Sequence, residues 1–355
     1  MFLKIKSKIE TGLKDYTLHA KQLYSLHKIS DVLFNHIKDF ITRDGKRIRP
    51  ILFVVGYRGF CDKNPKGLYR SAISLELMHD FMLVHDDVID KSETRRGKPS
   101  MHTMLQKYLS KYKNVKFSGQ DLSIVIGDIM YAMSLHAFLS INEKYELKEK
   151  ALQILIDAAM HTGSGEFIEL LAGLEDIDKI TKNDIYKIYD LKTAYYTFSA
   201  PLMMGATLAG AGKKEIAKLH SYGIYLGRAF QIKDDILDMF ETEEKIGKST
   251  LTDLKEAKKT PLIWYAYKNS SRQQKDFIKK ILSKENADKR DLEKIRAIVK
   301  ETHSLEYCLK EVSLFIQKAK ETISDSGIKL QYKNLLKKYC EQILNLNYLQ
   351  GTPGH

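Results

Sequence analysis

The 355-residue sequence predicts an all-α protein, a single large helical bundle around a central apolar cavity, on three observations. Helix breakers are scarce, with six prolines in the whole chain and glycines scattered rather than clustered, so long helices are expected. Two stretches carry apolar residues at helical spacing and are apolar on nearly every side, the pattern of helices in the middle of a bundle. No stretch sustains an alternation of apolar and polar residues, and no glycine-rich loop follows a strand-like run, which leaves a nucleotide-binding α/β fold without support.

In chain order, the first residues, MFLKIKSKIETGLKDY, place lysines every few positions and never form the apolar run of an export signal. Cys61, Cys308 and Cys340 are far apart and outside any metal-ligand spacing. Together these point to a reducing, cytoplasmic setting. From Ile73, the residues Leu77, Phe81, Val84 and Val88 step by four, four, three and four, with Leu75, Met78, Met82, Leu83 and Ile89 filling the other sides. Residues 107–120 read as a polar loop. Thr193 to Gly212 runs twenty residues without a charge, but Pro201, three glycines and several hydroxyls make it a core helix pair rather than a membrane span. Tyr222 to Phe240 is the second all-round apolar helix, and residues 241–254 return to a polar loop. Neither linker nor repeat interrupts the chain, so residues 1–355 are expected to form one domain.

The net charge of +13 favours anionic partners without naming one. A basic binder of nucleic acid would concentrate its cations on a stripe, whereas the informative basic residues here bracket aspartates. Asp86, Asp87 and Asp90 fall at i, i+1 and i+4 in the first apolar helix, and Asp234, Asp235 and Asp238 repeat that spacing in the second. Three carboxylates on one turn repel one another and are costly to bury without cations. Magnesium suits them, since it takes hard oxygen ligands and bridges a few carboxylates to substrate phosphates. Arg95 and Arg96 follow the first triplet directly, and adjacent guanidiniums offer multidentate donors to diphosphate oxygens. An acidic triplet near a helix end has a plainer reading as a partner of the macrodipole, but two such triplets in apolar helices, one beside a pair of arginines, describe a diphosphate site better.

The string LVHDDVIDKSETRRGKP from Leu83 to Pro99 resembles the first aspartate-rich motif of the trans-isoprenyl diphosphate synthases, the polyprenyl synthetase family, and GRAFQIKDDILD from Gly227 to Asp238 resembles its second. GKRIRP from Gly45 to Pro50, His79, DLKTAYY with Lys192 and Thr193, and Gly247 with Lys248 follow in the family's order, so the resemblance covers about residues 40 to 265. It implies an isoprenoid synthase bundle that joins isopentenyl diphosphate head to tail to an allylic diphosphate (dimethylallyl, geranyl or farnesyl). The two aspartate triplets would then bind three magnesium ions, with Arg95, Lys192 and Lys248 as further donors to the allylic diphosphate. Lys46, Arg49, His79 and Arg96 would take isopentenyl diphosphate, and Thr193, Gln231 and Phe230 belong to the motifs around the reacting groups. The resemblance further implies a homodimer, with neither nucleic acid nor a membrane span.

Two positions depart from the family pattern. Glu166 follows Gly165 where a glutamine is common, and Ala257 stands where a glycine is common. Product length is expected from the side chains beneath the first triplet: Met82 and Phe81 lie about 6 to 7.5 Å below Asp86 along a helix axis. An aromatic residue there, with no insertion in the motif, resembles the short-chain, geranylgeranyl type. Phe81 is either the floor of the chain pocket or simple bundle packing. The alternatives are a synthase of longer chains and, further off, a terpene cyclase, which would not keep the second triplet as aspartates.

Overall fold

The computed structural model describes residues 1–241, 254, 256–284 and 287–344, and they are almost entirely helical. The chain divides into two compact units, Met1–Leu155 with Met204–Gly210, and Ile156–Met203 with Ala211–His355.

In the first unit, α1 (Phe2–Leu23), α2 (Leu26–Ile29), α3 (Asp31–Ile41) and α4 (Ile48–Phe60) precede the long helix α5 (Leu68–Ile89). A two-stranded hairpin of β1 (Thr94–Arg95) and β2 (Lys98–Pro99) leads into α6 (Met101–Leu109) and α7 (Gly119–Phe138). Helix α5 is the expected central helix: Leu68, residues 71–78, Asp80, Val84 and Asp87 are all buried, so no face is left to solvent over its first half. It packs most extensively on α7. Serines permit this close approach and satisfy themselves across it, Ser134 Oγ donating to the Ser74 carbonyl at 2.7 Å and Ser71 Oγ to that of Phe138 at 2.6 Å. Gly67 starts α5 at φ +87°, with the Ser140 carbonyl where a Cβ would stand, so only glycine fits. The polar loop expected over residues 107–120 is shorter, because α6 runs to Leu109 and a Ser118/Asp121 capping box starts α7 early.

Helix α8 (Tyr145–Leu174) passes from the first unit to the second in sequence. The second unit continues with α9 (Lys182–Tyr189), a π-helical segment over Asp190–Ser199, α10 (Ala200–Leu208), which ends in the first unit, and α11 (Lys213–Phe240). Five further helices follow: α12 (Pro261–Asn269), α13 (Arg272–Leu282), α14 (Lys289–Glu301), α15 (Ser304–Ser324) and α16 (Leu330–Leu344). Helix α11 is the second central helix, packed on α15 and on the π segment. Capping boxes at Thr181/Asp184, Ser271/Gln274 and Asp288/Asp291, and Pro261 behind the Thr260 cap, fix where the shorter helices begin.

The uncharged run from Thr193 to Gly212 is the π segment and α10, with nearly every residue to Leu208 buried. Among the described residues, one helix, α7, is long and apolar enough to cross a membrane by length and composition. Its packing against α5 gives that composition a use as core.

Candidate active site

The first triplet closes α5. Asp87 is fully buried, Asp86 and Asp90 are half-buried, and Asp90 is the helix C-cap. A helix C-terminus carries partial negative charge, so carboxylates there are repelled by the macrodipole rather than steadied by it. The helix-end reading of this triplet therefore fails on sign, and the cluster needs cations. Arg95 supplies one: its Nε donates to Asp87 Oδ1 at 2.8 Å, and its Nη2 lies 3.2 Å from Asp86 Oδ2. Burial nonetheless pushes the Asp87 carboxyl up to about 6 against the pull of Arg95. A cluster of hard oxygen donors that one guanidinium does not fully compensate fits a divalent cation such as magnesium.

The hairpin explains how two adjacent arginines serve different ends. Arg96 and Gly97 sit between the paired residues Arg95 and Lys98, at φ +56° and +70°. Positive φ at both central residues is what a type I′ turn demands, and a non-glycine there costs of the order of 1 kcal/mol. The hairpin is tied down by Arg43, which pairs with Asp39 at 2.8 Å and donates to the Arg95 carbonyl at 3.3 Å, and by Lys98, 3.3 Å from Asp39. Arg95 thereby reaches the aspartate triplet. Arg96 turns the other way, Nη2 3.4 Å from Glu76 Oε1 and Nη1 3.2 Å from Asp80 Oδ1. Glu76 is shared with Arg47, whose Nη1 is 2.5 Å from the same oxygen.

Arg47, Glu76, Asp80 and Arg43 were not picked out by sequence reasoning. The signal was a pair of acidic residues at i and i+4 inside an apolar helix, two to three turns before the triplet. Of the expected residues near them, Arg49 is half-buried in the first turn of α4, Lys46 is exposed, and His79 is half-buried. Burial, with Arg49, Arg96, Arg95 and Arg47 around it, holds His79 well below the usual histidine range, so it acts as a neutral ring. Phe81 sits between two aromatic rings, at 4.8 Å from His85 and 5.1 Å from Tyr131 of α7. Met82, next to it, is half-buried.

The second triplet lies in the last two turns of α11, with Asp238 in the final turn, at the unfavourable pole, and Asp234 and Asp235 one turn further in. Asp235 is buried, while Asp234 and Asp238 are half-buried. Tyr189 donates its hydroxyl to Asp235 Oδ2, and Gln231 Nε2 donates to Oδ1 at 3.0 Å. Thr193 in turn donates to Gln231 Oε1 at 2.8 Å, so the π segment and α9 orient one carboxylate through two routes. Burial and the Asp235 charge hold Tyr189 protonated, far above the usual phenol range. Lys192 lies 2.5 Å from both Glu166 and Glu169 of α8. Phe230 packs edge-on against Phe198 at 5.5 Å, which favours its reading as core. Gly247 and Lys248 lie outside the described residues.

The π segment is wedged between glycines. A Cβ on Gly227 would meet Ala194 Cα at 2.3 Å, one on Gly223 the Ser199 nitrogen at 2.4 Å, and one on Gly165 the Lys192 nitrogen at 2.6 Å. Three glycines on two helices thus set the position of the backbone that carries Lys192 and Thr193. At Ala257 φ is +52°, a conformation that favours glycine and strains the alanine present.

A family model described as "Polyprenyl synthetase" matches residues 30–299. A "Short chain isoprenyl diphosphate synthase" of Methanothermobacter thermautotrophicus is 30% identical over 258 residues, covering 72% of this chain and 74% of that protein. A "Heptaprenyl diphosphate synthase component 2" of Bacillus subtilis is 33% identical over 275 residues, covering 78% of this chain and 72% of its own. Among solved structures, a geranylgeranyl pyrophosphate synthase from Corynebacterium glutamicum, complexed with isoprenyl diphosphate and magnesium, is similar with a TM-score of 0.86 at 24% identity, over 96% of this chain and 98% of that one.

Proposed function

We propose, for a chain that belongs to the polyprenyl synthetase family and is a trans-prenyl diphosphate synthase, that it condenses isopentenyl diphosphate with an allylic diphosphate to give a linear product of geranylgeranyl length. The reading takes residues 1–355 as one isoprenoid synthase domain working as a homodimer in the cytoplasm. The observation that carries it is that Asp86, Asp87 and Asp90 stand together at the electrostatically unfavourable end of α5, with Asp87 buried, a placement with a purpose only if cations bind there.

Asp86, Asp87, Asp90, Asp234, Asp235 and Asp238 would hold magnesium, three ions with substrate present, which supplies Lewis-acid neutralisation of the departing diphosphate. Arg95 and Lys192 donate to the same diphosphate, as does Lys248. For Lys192 this requires it to exchange Glu166 and Glu169 for phosphate oxygens, and the two glutamates then serve as its resting partners. Arg96, Arg49, Lys46 and neutral His79 position isopentenyl diphosphate. Preorganised donors aimed at the charge that develops as the carbon–oxygen bond breaks are the main source of rate in such chemistry. Thr193 and Gln231 keep Asp235 oriented. The pyrophosphate that leaves is the base that takes the final proton, so no strong protein base is required.

Product length rests on Phe81. Phe81 packs edge-on against His85 and tilted against Tyr131, and this aromatic cluster with Met82 supports a floor for a twenty-carbon chain. The heptaprenyl name of one relative keeps the longer-chain reading in play. One experiment addresses both levels: incubation with magnesium, isopentenyl diphosphate and farnesyl diphosphate, with product sizing. A linear twenty-carbon diphosphate, lost on chelation and lengthened in Phe81→Ala, is expected. Hydrocarbon products would point to cyclisation, absence of turnover would remove the enzymatic reading, and an unchanged length in Phe81→Ala would place the floor elsewhere.

A further inference from the structure

We propose that Asp80 is a positioning residue that aims the Arg96 guanidinium at the diphosphate of isopentenyl diphosphate, an inference that rests on the reading of Arg96 as a ligand of that substrate. Glu76 and Asp80 are one turn apart on α5, at 2% and 0% exposure. Two carboxyls at this spacing repel each other, and both are aimed at the same guanidinium, Arg96 Nη2 to Glu76 and Nη1 to Asp80. Glu76 divides itself between Arg96 and Arg47. Asp80 has Arg96 as its one close contact with a basic group among the described residues, Oδ1 facing Nη1 at 3.2 Å, and that contact falls short of hydrogen-bond alignment.

Such a group is expensive where it stands. A buried carboxyl without hydrogen bonds forfeits its hydration, and an apolar residue would fill the same place in the helix at less cost. Its one evident service is to Arg96. The type I′ turn fixes the Arg96 backbone at φ +56°, but a long side chain leaving a turn still has several rotamers, and a second anchor on the far terminal nitrogen selects one of them.

The protonation state fits that service. Burial lifts the Asp80 carboxyl to about 8, opposed by Arg96 and assisted by Glu76. A carboxyl raised in this way faces Nη1 with its oxygen dipole while cancelling less of the positive charge of the guanidinium. An ionised Asp80 beside Glu76 would leave Arg96 with two anions already in place and little attraction for a third.

The test compares Asp80→Leu and Asp80→Ala, which remove the acceptor, with Asp80→Asn, which keeps a neutral acceptor of the same shape, and with Arg96→Gln. KM for isopentenyl diphosphate and for farnesyl diphosphate, kcat and the melting temperature are measured for each. The proposal expects Asp80→Leu and Asp80→Ala to raise KM for isopentenyl diphosphate about tenfold, with KM for the allylic substrate and kcat within about threefold, and Asp80→Asn to restore it to within about threefold of wild type. If Arg96→Gln raises that KM but the Asp80 variants do not, or if they move both KM values together and Asp80→Asn fails to recover, Asp80 is only a structural residue and the proposal is overturned. If Arg96→Gln itself leaves KM for isopentenyl diphosphate unchanged, the assignment of Arg96 is wrong and the proposal falls with it. Should Asp80→Leu not fold, Asp80→Ala and Asp80→Asn carry the same comparison.

Discussion

Single residues decide how charge is distributed along α5. Arg95 and Arg96 are chemically identical neighbours, yet the hairpin sends one to Asp86 and Asp87 and the other to Glu76 and Asp80. The sequence made the arginine pair visible and left its division hidden, because that division depends on the sign of φ at Arg96. Asp80 was hidden for a related reason: in a helix apolar all round, two acids one turn apart read as stray polar positions unless a cation that they share is known. Its raised carboxyl has a consequence for stability. A group whose folded value lies above its unfolded value, about 3.9, contributes fully below the unfolded value and loses that contribution as pH rises toward the folded one, here about 8. The groups that set it are Arg96, Glu76 and Arg47. Asp80→Asn should therefore gain in melting temperature relative to wild type steadily from pH 5 to pH 8.5, and a gap that stays constant across that range would contradict the assignment. Ala257, at φ +52°, is a simpler case. Ala257→Gly removes a Cβ clash of about 1 kcal/mol and gives back part of it through the freer unfolded chain, so chemical denaturation should show a gain of a few tenths of a kcal/mol up to ~1.

At the scale of elements, the two central helices were readable because apolar spacing survives over several turns: Ile73 to Val88 falls wholly inside α5 and Tyr222 to Phe240 inside α11. The π segment was not readable. Asp190–Ser199 has an ordinary helical composition, and its backbone is approached closely at Gly165, Gly223 and Gly227, residues distant in sequence that carry no local signal. π-helical turns recur at functional sites because they displace a few side chains from α-helical register, and here the displaced residues include Lys192 and Thr193. Gly227→Ala places a methyl group 2.3 Å from Ala194 Cα, which should cost about 1 to 3 kcal/mol by overpacking. Because the backbone that yields carries Thr193, thermal melting and kcat should both fall. A variant that melts early but keeps full kcat would separate the π segment from the chemistry.

For the whole molecule, the all-α class followed from what the sequence lacks as much as from what it contains: few prolines, no sustained alternation, no strand-linked glycine loop. The described residues bear this out, with one two-stranded hairpin as the exception. The C-terminal helices α13 to α15 were legible only as amphipathic patterns, whose buried faces specify packing and carry no motif of their own. The central claim is that six aspartates act as one device on one diphosphate. The most direct test is a double-mutant cycle on kcat at saturating magnesium, with Asp86→Ala, Asp234→Ala and the double variant. Residues that act as a unit give strongly non-additive losses, so each single variant should lose about 10³-fold or more, with the double within about tenfold of the worse single. Losses that multiply, or a single variant within about tenfold of wild type, would contradict the account.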